Sequence, residues 1–189
     1  MKGKTVFKTN YFTVNESEIY FKTQEPYYSI ECENGVIAAI LDEQDQFILV
    51  KQFRPALSIE TIEMPAGGIE RNETPEEAIK REIEEEIQCE SQLISIGSKY
   101  AIMSSRVNMY LYMYFGMRPT IVEKPNAGTE NLEIIRMDRR KVMRKIQKGE
   151  ITHLGAIGLL FMIEKELKID LNMSRYEEIE KHFNRRLRN

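Results

Sequence analysis

Apolar and polar residues alternate with a period of two at residues 12–14, 18–22 and 27–33, the pattern of strands with one face buried. Residues 36–41 (VIAAIL) and 47–53 (FILVKQF) are more continuously apolar. The polar turn DEQDQ separates them, so they predict two buried strands. Residues 59–64 predict another strand, running into a glycine-rich turn. The period then changes: Ile79, Ile83 and Ile87 stand at i, i+4 and i+8, the apolar stripe of a helix. Strands resume at 93–102 and 108–117, the latter containing MYLYMYFGM, whose aromatics read as sheet packing. Residues 121–128 carry Pro125 and Gly128 and read as a loop, followed by a short strand at 132–137. Helices are predicted at 138–148 and 153–167, divided by Gly149. A last helix, 172–189, has Tyr176, Ile179, Phe183 and Leu187 on one stripe. Mixed strands with flanking helices predict an α/β sandwich rather than a parallel doubly wound sheet.

The first of these helices carries the chemistry. Thr74 is placed to cap it, Pro75 fits its first position and Glu77 completes a capping box. Glu82 and Glu86 are four residues apart and stack beside the isoleucine stripe. Glu85 projects nearby, and Glu84 is expected to face solvent. Carboxylates this crowded repel one another, and a hard divalent cation with oxygen ligands reverses that. Read without its surroundings, the helix is better explained as a surface helix stitched by Glu77–Arg81 and Glu76–Lys80 pairs. The turn before it and Glu73, six residues after Gly67, argue for the metal.

Residues 63–89, EMPAGGIERNETPEEAIKREIEEEIQC, resemble the Nudix box, G-x5-E-x7-R-E-U-x-E-E-x-G-U with U aliphatic. Gly67, Glu73, Arg81, Glu82, Glu85 and Glu86 match it. Gln88 stands where the family has its second glycine, and Cys89 at the final aliphatic position. The flanks resemble the ADP-ribose pyrophosphatase branch: Gln52-Phe53-Arg54, then Glu63-Met64-Pro65-Ala66-Gly67, then Glu130 before Asn131-Leu132-Glu133-Ile134. That likeness implies a mixed sheet between helices with an N-terminal antiparallel strand extension, all one domain over 1–189. Its parts would be a strand region at 1–33, a core at 34–168 and a helical extension at 172–189.

The resemblance also implies roles. Glu82, Glu86 and the Ala66 carbonyl would hold Mg²⁺, with Mn²⁺ as a substitute. Glu85 would share a metal or orient the attacking water, and Glu130 would be a general base or added ligand. Arg54 would grip the diphosphate, although it reads equally well as a surface arginine paired with Glu60 or Glu63. Tyr28, with Tyr27 and Phe53, would stack on the base, with strand packing as the plainer role. Ser104-Ser105-Arg106 replaces the branch's Ser-Pro-Gly loop, leaving Arg106 to serve the leaving group. Arg81 and Glu73 read as organisers of the carboxylates, and His153 as structural.

Composition narrows the partners. A chain of 189 residues suffices for one sizeable core, and 42% hydrophobic with 30% charged residues is ordinary for a globular protein. A net charge of −3 disfavours nucleic acid as the main partner. No apolar run is long enough for a bilayer, and MKGKTVFKTN lacks an apolar signal region, which predicts a cytoplasmic protein with Cys32 and Cys89 reduced. The arginines at 185, 186 and 188 suit the end of a helix. Expected, then, is a Mg²⁺-dependent hydrolase of a nucleoside diphosphate sugar, ADP-ribose first, working as a homodimer. Another diphosphate such as GDP-mannose, or a Nudix-fold ligand sensor without turnover, stands as the alternative.

Overall fold

The structure, a computed structural model, describes residues 3–20, 26–122 and 132–188. Its central element is a seven-stranded mixed sheet. The strand order is β11 (Glu133–Asp138), β5 (Gln46–Arg54), β4 (Gly35–Leu41), β10 (Tyr110–Ile121) and β8 (Cys89–Ala101), with β6 (Ile59–Glu63) on β5 and β7 (Ala66–Gly68) on β4. β4 and β10 run parallel, and every other pair in this sheet is antiparallel.

All seven residues of β4 are buried because both faces of the sheet are covered. Val36, Ala38 and Ile40 pack with Ala78, Ile79, Ile83 and Ile87 of α1 (Pro75–Ile87). Ile37, Ala39 and Leu41 belong to the opposite core, with Leu159 and Ile163 of α3 (Leu154–Leu167) and Ile179 and Phe183 of α4 (Tyr176–Leu187). Strand alternation therefore sends neighbouring residues into two separate cores, each closed by helices. α2 (Arg139–Gln147) follows β11 and adds Val142.

The N-terminal extension forms a second sheet, β1 (Lys4–Lys8), β2 (Phe12–Tyr20), β3 (Pro26–Cys32) and β9 (Val107–Asn108). Its first three strands are antiparallel, and β9 adds a short parallel edge to β3.

Several local expectations change. β1 has no buried residue, so no alternation marked it. The predicted strand at 12–14 and part of the one at 18–22 fuse into the nine-residue β2. The glycine turn is partly a strand, β7, because β4 lies alongside and takes its hydrogen bonds. Leu187 is 41% exposed, since α4 runs past the core at its last turn. Part of the loop at 121–128 falls outside the described residues, as does Glu130.

Candidate active site

The start of α1 forms as its local sequence dictates. Thr74 Oγ1 accepts from Glu77 N at 3.2 Å, and a Glu77 carboxylate oxygen accepts from Thr74 N at 2.8 Å. Lys80 pairs with Glu76 at 2.6 Å. Arg81 does not join Glu77. It donates to both Glu73 oxygens, to Glu82 Oε1 at 2.7 Å, to Glu85 Oε2 at 3.2 Å and to the Gly68 carbonyl at 2.9 Å. One guanidinium thus binds the turn, the loop and the helix together. Those hydrogen bonds, that to Glu73 foremost, hold its pKa far above the ordinary value, with burial opposing. The same bond holds the Glu73 carboxyl below its own.

The two glutamates expected as ligands converge on the turn. Glu86 Oε2 accepts from the Ala66 N–H at 2.9 Å. The Glu82 carboxylate lies so close over Gly67 that a Cβ there would sit 1.9 Å from Oε1 and push the carboxylate aside. Glu85 is the most exposed of the box glutamates and Glu84 is half-buried, reversing the expected orientation. Glu84 lines a small cleft with Lys80 and Cys89. Burial pushes the Cys89 thiol up.

No trio of carboxylate, imidazole and thiolate groups is gathered tightly enough to enclose an ion among the described residues. Two carboxylates and the Ala66–Gly67 backbone are what the site offers. That donor set fits Mg²⁺, which usually takes one or two carboxylates and completes its shell with water and substrate phosphates.

Beside the turn opens a cavity of about 620 Å³. Ala66, Gly67 and Gly68 form part of its wall, with Arg54, Glu63 and His153 nearby. Arg54 grips Glu63 with two hydrogen bonds, Nε to Oε1 at 2.8 Å and Nη2 to Oε2 at 2.6 Å, and Thr61 Oγ1 donates to Glu63 as well. Burial pushes the Glu63 carboxyl up, but those hydrogen bonds outweigh it and leave it below its ordinary value. Glu60 pairs instead with Lys51.

His153 was read from the sequence as structural, yet it lines this cavity at the start of α3. Its Nδ1 is buried and finds no hydrogen-bond partner among the described residues. Burial lowers its pKa, with Glu63 opposing and Arg54 reinforcing. No motif flagged it, because its charged neighbours here, Arg54 and Glu63, come from strands ninety or more residues earlier.

Arg106 and Tyr28 lie elsewhere. Arg106 donates to the Tyr28 carbonyl at 2.9 Å, and its guanidinium sits 4.2 Å from the centre of the Tyr27 ring. Tyr28 donates its hydroxyl to Glu16 at 3.0 Å. Arg106 and Tyr27 line a second cleft of about 270 Å³, which shares Ala101 and Met109 with the larger cavity. The fold thus sets Ala66 and Arg54 on one opening, with Glu82 and Glu86 against the turn that walls it, and places Arg106 and Tyr28 at the N-terminal sheet.

Residues 33–153 match the family model for the NUDIX domain. The chain belongs to that family. This Nudix domain is similar to the ADP-sugar pyrophosphatase of Mus musculus, 30% identical over 146 residues, and covers 72% of the present chain with that match. The match spans 60% of the mouse protein's length. The ADP-ribose pyrophosphatase of Bacillus subtilis strain 168 is 21% identical over 167 residues, 80% of this chain and 86% of that one. A crystal structure of an ADP compounds hydrolase superposes with a TM-score of 0.70 at 18% identity, covering 87% of this chain and 90% of the other. That likeness supports the mixed sheet between helices drawn above. Nudix hydrolases generally depend on a divalent metal. No helix among the described residues is long and apolar enough to cross a membrane.

Proposed function

We propose that this Nudix domain hydrolyses the diphosphate bond of a nucleoside diphosphate sugar, with ADP-ribose, giving AMP and ribose 5-phosphate, as the first candidate. Family membership supplies the reaction class, hydrolysis of a phosphoanhydride. The relatives named for ADP-sugars and ADP-ribose support the substrate class. The observation that carries the reading is the convergence of Glu82 and Glu86 on the Ala66–Gly67 backbone beside a cavity that holds Arg54.

In this reading Glu82, Glu86 and the Ala66 carbonyl hold Mg²⁺, for which Mn²⁺ substitutes. The cation, when bound, supplies charge neutralisation at the phosphates and acidifies a water. Arg54 offers guanidinium hydrogen bonds to the diphosphate, and Glu63 keeps that guanidinium oriented. Glu85 orients the attacking water, and Glu130 takes its proton. Arg81 keeps the carboxylates at working distance from one another. Arg106 and Tyr28 stand ready to contact substrate in a homodimer whose N-terminal sheets meet. The exposed Phe7, Tyr11 and Phe12 of that sheet supply apolar surface for the contact.

Release of nucleoside monophosphate from a panel of nucleotide sugars, with Mg²⁺ and with chelator, tests the proposal. Chelator-sensitive release from ADP-ribose is the expected result. Binding of the panel without release would mark a ligand sensor instead.

A further inference from the structure

Position 153 breaks two local rules at once. It is the N-cap of α3, where a Ser, Thr, Asp or Asn side chain would accept a hydrogen bond from the first turn and stabilise the helix. His153 makes no such bond. Its Nδ1 is instead shut away from solvent with no partner among the described residues, which is unfavourable for a polar atom. Local rules broken without compensation inside the chain mark functional sites. The ring lines the cavity of about 620 Å³ at the end that also holds Arg54 and Glu63.

The neighbours leave the ring unclaimed. Glu63 is near enough to act electrostatically on it, but the Glu63 oxygens are already taken. Oε1 accepts from Arg54 Nε and Thr61 Oγ1, and Oε2 from Arg54 Nη2. Glycine at 155 keeps the other edge of the ring uncrowded, since a Cβ there would come 3.2 Å from Nε2. At pH 8 an imidazole is neutral and carries its proton on one nitrogen. In protein interiors a stranded N–H is rarer than an acceptor short of a donor. That preference puts the lone pair at the closed Nδ1 and the proton at Nε2. The cavity thus receives a single N–H donor beside Arg54, suited to an oxygen that only accepts.

We propose that His153 is a substrate-binding residue, donating from Nε2–H to a phosphoryl oxygen of the diphosphate that Arg54 grips. This rests on the reading above that the ligand is a diphosphate, and adds an uncharged, directional donor to it. Arg54 and the cation supply charge; His153 fixes where one oxygen sits.

The chain has two histidines, His153 and His182, so long-range ¹H–¹⁵N spectra of the imidazoles resolve each ring, with His182 as internal control. In the free protein at pH 8 the His153 proton should be on Nε2. The α,β-methylene analogue of ADP-ribose, whose carbon bridge resists hydrolysis, and methylenediphosphonate are then added separately with Mg²⁺. At least one should shift the His153 nitrogens and leave His182 unmoved, whereas adenosine and ribose, which lack phosphate, should move neither ring. His153→Leu, which fills the space without a donor, should weaken binding of the analogue about tenfold. It should raise KM by a similar factor and change kcat little. His153→Gln, whose amide N–H reaches the place of Nε2, should recover most of that loss; a merely structural ring would give the two variants equal affinity. A proton on Nδ1, a His153 ring unmoved by both diphosphates, one moved by adenosine or ribose, or Leu and Gln variants of equal affinity would each overturn the contact. Because the spectra involve no hydrolysis, a chain whose ring shifts but which cleaves no nucleotide sugar refutes the proposed activity and keeps the contact. Monophosphate release by a chain whose ring stays still does the reverse.

Discussion

Arg81 places a single positive charge among three carboxylates and the Gly68 carbonyl. Hydrogen bonds to charged groups at a partly buried site are worth more than neutral ones. Arg81→Ala should therefore cost about 2 kcal/mol in urea unfolding, through repulsion among Glu73, Glu82 and Glu85 as well as lost bonds. Glu86→Gln is a milder change for the fold, since an amide oxygen still accepts from Ala66 N–H. Turnover should nonetheless fall at least about a hundredfold, because a neutral amide is a poor Mg²⁺ ligand. Wild-type turnover by that variant would remove Glu86 from the metal site. His153 gives a pH prediction. Its folded pKa lies below 6.5, lowered first by burial and then by Arg54, with Glu63 opposing. The unfolded chain therefore binds the proton first as pH falls, and stability is lost on acidification below about 6.5. Thermal melts from pH 7.5 to 5.5 should show this slope, and His153→Gln should flatten it.

At the scale of elements, α1 starts and stops for local reasons. Thr74→Ala removes one half of the capping box and should cost about 1 kcal/mol in chemical denaturation. Gln88, in place of the family's glycine, adopts φ 53° and ψ 43°, the left-handed conformation that glycine takes without strain. Gln88→Gly should stabilise the protein by about 0.5 kcal/mol, the relief of strain being partly offset by a more flexible unfolded chain. The cap and the isoleucine stripe were legible because both depend on residues within a few positions of one another. β7 was not, because Ala66-Gly67-Gly68 has no strand propensity and is extended only where β4 pairs with it. β1 escaped for a related reason: solvent lies on both its faces, so no periodicity records it.

Across the whole molecule, the least legible residue is Arg139. At the start of α2 it looks like one more basic surface residue, yet it is fully buried. Its guanidinium donates to both carboxylate oxygens of Asp45, at 2.8 and 3.0 Å, to the Ser174 carbonyl at 2.8 Å and to the Leu171 carbonyl. It ties the β4–β5 turn to the segment entering α4. Arg139→Ala would leave Asp45 with Arg140 alone and two carbonyls without their donor, and should cost about 3 kcal/mol by equilibrium unfolding. Loosened α4 packing, read from the edge-to-face pair of Phe115 and Phe183, should accompany it.

The sequence by itself determined most of the elements and the sandwich class, because period and caps are local quantities. It also carried the likeness that the NUDIX match bears out. Only the tertiary structure decided that Glu82 and Glu86 rest on Ala66–Gly67, that Arg54 is held by Glu63, and that His153 and Gly158 face one cavity. Those relations join residues separated by turns, strands and a helix. Their distances follow from how two cores close on opposite faces of one sheet, and no interval along the chain encodes them.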